Sequence, residues 1–209
     1  MAGKKSKKSI EFKAKLVIYG HGMGWCFTPG DLQGLGNELA ILQALLRLQK
    51  QGTIRRLSWG LYEYPREHKK LGLLPPDTEQ VVKAVARKDQ TRMLPSGALA
   101  ANLLGLSNQV PAKAVYLTEG LSKRIRIGNR EIIFKKTTPK NMATADTPAG
   151  LVIQALKHIG KNQVDDTMIS ILKKRLTKED RESLRRQVKY APAWIKKIML
   201  TVAGDKNRG

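Results

Sequence analysis

Between residues 10 and 66 helix starts, helix stops and turn glycines follow one another so closely that only short elements fit between them. The run from Ile10 to Tyr19 is compatible with an amphipathic helix, closed by Gly20, Gly22 and Gly24. Thr28-Pro29-Gly30-Asp31 sets a capping hydroxyl, a first-turn proline and an acid three residues past the cap, which predicts a short helix from about Pro29 to Leu35. Gly36 turns the chain, Asn37 can cap a third helix over ELAILQALLRLQKQ, and Gly52 stops it. TIRRL, SWG and LYEYP then read as two short strands about a glycine turn. Helix, helix, turn, helix and hairpin in this order is the plan of a winged helix-turn-helix, expected over residues 10–66.

The stretch KLVIYGHGMG invites a different reading, a strand entering a glycine-rich phosphate loop. Such a loop must open directly into a helix N-terminus so that its amides face the phosphates. Here Trp25, Cys26 and Phe27 follow, and then a fresh helix start, so that reading is rejected. Arg66 to Pro76 is polar and basic and ends in Pro-Pro, which suggests a linker over residues 67–76.

Beyond it, residues 77–209 read as an α+β module with a helical tail. Asp77 and Gln80 cap a helix to about Arg87, and Pro95 to Leu106 reads as another. AKAVYLTEG, KRIRIG and EIIFKK read as strands, the last two joined by a Gly128-Asn129 turn. A helix bounded by Thr147-Pro148 and Gly160 follows, then two or three more to residue 203, broken near Pro192. The whole chain is therefore expected to be α+β.

Charge narrows the partners. Lys and Arg number 39 against 17 Asp and Glu, a net +22 with a pI near 10.3, which makes a polyanion the leading expectation. The excess is spread along the chain, with 13 basic and 5 acidic residues in 1–76 and 26 and 12 in the remainder. Lys4, Lys5, Lys7 and Lys8 form a basic arm, expected to be disordered over residues 1–9 and suited to phosphate contacts. No apolar run is long enough to span a bilayer and the basic start lacks the apolar segment of a signal peptide, so a cytoplasmic protein without a membrane partner is expected. One cysteine, Cys26, and three scattered histidines give a metal site little to work with, and no cofactor is expected.

In the third helix residues advance 100° each, so Ile41, Leu45 and Leu48 form one stripe and Gln43, Arg47 and Lys50 lie opposite. Donors of these types suit a helix in the major groove: Arg can pair with guanine, Gln with adenine, and Lys neutralises phosphate. Asn37 at the helix start joins them as a candidate contact. The hairpin adds Arg55, Arg56 and Trp59, although strand alternation sends the two arginines to opposite faces. Trp25, Phe27 and Tyr62 are expected in the core. Leu39, Leu42 and Leu46 make a second apolar strip, more than a small head needs, which could dock the second module or a second subunit. Catalysis is not expected: the acid pair Asp165-Asp166 precedes a helix and Glu179-Asp180 sits at a helix start, where acids serve the dipole, and no catalytic triad or Walker loop is present.

The strings GWCFTPGDLQGLG and LQALLRLQKQGTIRRLSWGLYEYP resemble the N-terminal half of AbiEi-type antitoxins of bacterial type IV toxin-antitoxin systems. LPSGALAANLLGLSNQVPAKAVYLTEG and RIRIGNREIIFKKTTPKNM are similar to that family's C-terminal antitoxin module. The resemblance covers roughly residues 20–160, and the tail from 163 to 209 lies outside it. It implies a transcriptional repressor of its own operon, bound to inverted repeats in double-stranded DNA. It also implies a C-terminal module that counteracts a nucleotidyltransferase toxin, functionally rather than through a required contact. The alternatives are a stand-alone winged-helix regulator and an RNA-binding protein.

Overall fold

A computed structural model describes residues 9–204, so the arm lysines Lys4, Lys5, Lys7 and Lys8 lie outside the described residues. The protein is α+β and divides into two compact units, residues 1–90 and 91–209.

The first unit opens with α1 (Ile10–His21), whose N-terminus is capped by Ser9 as its hydroxyl accepts the Phe12 N–H at 3.2 Å. The helix runs through Gly20 and stops at Gly22, which takes the left-handed φ of 83°. β1 (Cys26–Phe27) follows, then Thr28 and Asp31 close the expected capping box, with the Thr28 N–H donating to Asp31 Oδ2 at 2.8 Å. The segment they start, Pro29–Leu35, winds as a 3-10 helix. α2 (Glu38–Lys50) begins at Asn37, whose carboxamide oxygen accepts the Ala40 N–H at 2.8 Å, and it buries Ile41, Ala44, Leu45 and Leu48. β2 (Arg55–Ser58) and β3 (Leu61–Glu63) form the hairpin, and β1 pairs with the outer side of β3, giving a sheet of order β1-β3-β2. This is the element order expected of a winged helix-turn-helix, with β1 as an added strand. Trp25, Phe27 and Tyr62 are buried and stacked, with ring centroids 4.6 and 5.9 Å apart in succession, as expected of core residues.

The segment expected to be a linker carries a small hairpin, β4 (Glu67–His68) and β5 (Gly72–Leu73). α3 (Thr78–Asp89), expected to open the second module, belongs to the first. Its Val81, Val82, Ala84 and Val85 are buried, and Arg87 donates to Asp31 Oδ1 at 2.7 Å and to the Cys26 carbonyl at 2.8 Å. The boundary therefore falls one helix later than the Pro-Pro signal suggested, because the apolar face of α3 is used on the N-terminal side of the cut.

The second unit contains β6 (Met93–Pro95), α4 (Ala98–Leu103), β7 (Lys113–Thr118), β8 (Lys123–Ile127) and β9 (Arg130–Lys136). The expected helix from Pro95 is shorter, since Met93–Pro95 is recruited as an edge strand. The sheet order is β6-β7-β9-β8, with β9 parallel to β7 and antiparallel to β8 across the expected Gly128-Asn129 turn. Then come α5 (Pro139–Met142), α6 (Pro148–Ile159), α7 (Asp166–Arg175), α8 (Lys178–Gln187) and α9 (Ala193–Ala203). α6 is the central helix, with Ala149, Val152, Ile153, Ala155 and Leu156 buried. Gly150 lets it approach so closely that a Cβ there would lie 2.1 Å from the Thr144 carbonyl oxygen. The acid pairs have structural roles: Asp165 caps α7 by accepting the Met168 N–H at 2.8 Å, and Asp180 accepts the Thr177 N–H at 2.9 Å.

Truncation after Gln90 should leave a first unit that unfolds cooperatively in a thermal melt. Truncation after Pro76 should not, because it strips away α3 and the Arg87 contacts; equal melts for the two fragments would contradict this boundary.

Candidate nucleic-acid interface

α2 presents one face to the core and, by its 3.6-residue period, the other to solvent. Gln43, Arg47 and Lys50 are all exposed on that outer side, together as expected. Arg47 lies 3.5 Å from Glu11 of α1, and its side chain remains 58% exposed, so this surface pair holds it only weakly. Asn37 is different: its oxygen accepts the Ala40 N–H in the cap, so the residue sets the start of α2 and its side chain is held against the helix N-terminus.

The hairpin separates its two arginines as strand alternation requires. Arg56 is exposed, its guanidinium 5.1 Å from the ring centroid of Trp59, which stands at the tip 84% exposed. Arg55 turns the other way. Its Nε donates to Glu63 Oε2 at 2.5 Å and its terminal nitrogen to the Leu74 carbonyl at 2.5 Å, so it is withdrawn from the candidate DNA contacts. The cause is Glu63, its cross-strand neighbour, which is fully buried and needs a counter-charge.

Burial pushes the Glu63 carboxyl above its ordinary value, and the hydrogen bond and charge of Arg55 oppose that rise. A raised folded-state value means that the proton-linked stability is present below the ordinary pH of a carboxyl and is lost as pH rises through the folded value. The Cys26 thiol is likewise pushed up to about 12, first by burial and then by the charges of Glu63 and Asp77, so Cys26 packs as an apolar group.

Between the hairpin and α2 runs a groove of about 690 Å³ whose walls include Leu42, Leu46, Arg56, Trp59 and Lys88. Lys88 comes from α3 and is exposed, with its ammonium 3.7 Å from the position of a Cβ on Gly60 at the hairpin turn. It escaped the sequence reading because α3 was assigned to the other module, although the Ala-Arg-Lys-Asp end of that helix was a legible basic signal. In the second unit the register sets Arg124 and Arg126 of β8 and Lys135 of β9 on one face of the sheet, all exposed. Among the described residues no helix is long and apolar enough to cross a membrane.

Replacing Arg55 with Met should destabilise the protein by about 3–5 kcal/mol near neutral pH, since it strands an ionised Glu63 in the interior. Following the sign above, that loss should shrink as pH falls and Glu63 takes up a proton. Denaturant titrations at several pH values check it, and a loss independent of pH would rule out an ionised partner.

The sequence matches no curated protein. A family model described as a family of unknown function, DUF6088, matches residues 13–184, a span that reaches across most of both units. The chain belongs to the DUF6088 family.

Proposed function

We propose that the first unit is a winged helix-turn-helix that reads duplex DNA, and that the chain is a bacterial cytoplasmic antitoxin that represses its own operon and counteracts a nucleotidyltransferase toxin. The observation that carries the DNA half is the exposure of Gln43, Arg47 and Lys50 on α2 together with that of Arg56 and Trp59 on the hairpin, which faces Leu42 and Leu46 of the same helix across one groove. A helix bearing Gln, Arg and Lys can enter the major groove while the hairpin follows a sugar-phosphate edge. The groove between them carries Arg56 and Lys88 on its walls beside Glu38 and the Asp31–Arg87 pair, and its basic side suits a phosphodiester strand. The net charge of +22 supplies long-range attraction to such a partner.

The antitoxin half rests on the resemblance of residues 20–160 to AbiEi-type antitoxins, and it assigns the toxin-counteracting role to the second unit, residues 91–209. The same resemblance implies inverted repeats as the operator, and neither half calls for a cofactor. A second reading, RNA binding, is favoured by the exposed Arg124, Arg126 and Lys135 face of the second unit. Competition between duplex DNA and structured RNA at fixed salt separates the two.

Footprinting on the DNA upstream of the gene tests the repressor role, and growth rescue from a neighbouring nucleotidyltransferase tests the antitoxin role. Arg47→Ala should weaken specific binding by about 1–3 kcal/mol and relax sequence preference at one position. A uniform loss on all duplexes would make Arg47 a phosphate contact.

A further inference from the structure

Leu39, Gln43, Leu46 and Lys50 are spaced i, i+4, i+7 and i+11, so they form one line along the outward side of α2. All four are exposed, Leu39 by 67% and Leu46 by 51%. Neither leucine belongs to the core cluster, to which Ile41, Leu45 and Leu48 on the opposite stripe already fix the helix. Leu42 and Leu46 both border the groove beside the hairpin, and Leu46 is the more exposed of the two, at 51% against 39%.

The surroundings point to the occupant of this line. It ends on Lys50, is flanked by Arg47, and at Leu46 borders the groove that Arg56 also lines, so a second copy of the same basic face would meet it with like charge, whereas duplex DNA would meet it with phosphates. In the major groove the apolar group offered by the bases is the C5-methyl of thymine, and a carboxamide pairs bidentately with adenine. An apolar, carboxamide, apolar line therefore matches consecutive A·T pairs. The spacing fits: seven residues from Leu39 to Leu46 rise about 10.5 Å, close to three base steps of about 3.4 Å.

We propose that Leu39 and Leu46 read thymine methyl groups on either side of an adenine read by Gln43, which makes the DNA target an A·T-rich half-site. This rests on the reading of the first unit as a DNA-binding head.

The test uses the full-length protein. Sites are selected from a random duplex library, and affinity for the selected duplex is compared with that for copies in which single thymines are replaced by uracil, which removes the methyl and keeps every hydrogen-bonding group. Selected sites should share an A·T core, and uracil at a contacted position should weaken binding about fourfold, the factor expected for one apolar methyl-sized group. Leu39→Ala and Leu46→Ala should each erase the thymine preference at one position, so that the variant binds the thymine and the matching uracil duplex equally, with the melting temperature unchanged. Equal affinity for thymine and uracil duplexes overturns the inference and leaves DNA binding intact. So does a thymine preference that survives both leucine variants, which would trace it to DNA shape, or a change of oligomeric state in those variants, which would mean that protein covers the line. Failure to bind any duplex, even at low salt, overturns the DNA-binding reading as well.

Discussion

Pairing of β1 with β3 is the contact on which the geometry of the candidate interface depends. A lone two-stranded hairpin is marginally stable in water, and the β2–β3 hairpin would have no fixed direction by itself. β1 sets Phe27 opposite Tyr62 and Cys26 opposite Glu63. Main-chain bonds from Gly24 to Tyr64 and from Tyr64 to Trp25, at 2.6 and 2.9 Å, continue the tie beyond the strands. The Trp25–Phe27–Tyr62 stack then fastens this sheet to the core that α1 and α2 share. Arg56 and Trp59 stand in a defined relation to α2 because the strand behind them is anchored on its other edge.

The same strand divides the basic residues into those the fold consumes and those it leaves outside. Arg55 neutralises buried Glu63, and Arg87 closes Asp31 and the Cys26 carbonyl, so two cations that composition counts toward a polyanion are engaged in holding the unit together. Arg56, Lys50 and Lys88 are left at the surface. Net charge thus overstates the charge available to a partner, and the difference lies in the few carboxylates that the first unit contains. Asp31 serves both the capping box at Thr28 and the ion pair with Arg87, which joins the start of the 3-10 segment to the end of α3.

Much of this was legible in the sequence. Ser/Thr/Asn/Asp caps, the Gly52 and Gly128 turns and the 3.6-residue period of α2 are local signals, and they correctly marked α2, the hairpins, α6 and the outward placement of Gln43, Arg47 and Lys50. Apart from the small β4–β5 hairpin, the main misses are non-local. Two-residue β1 has no period of its own and exists only because β3 offers an edge to it. The role of Arg55 depends on a glutamate eight residues away whose burial no local pattern reveals. The linker reading of 67–76 took Pro-Pro as an end, whereas the destination of the α3 valines set the boundary.

What the sequence by itself determined is the placement of the main helices and of the two longer hairpins, because capping, turn glycines and hydrophobic period act within a few residues. It also determined the excess of positive charge and which side chains face out of α2. The tertiary structure alone decided which strand completes the sheet, which arginines are spent on buried carboxylates, and that α3 brings Lys88 to the groove beside the hairpin. Those outcomes depend on which buried groups meet across the chain, and an unpaired buried charge or an unpaired strand edge costs more than any local preference can offset.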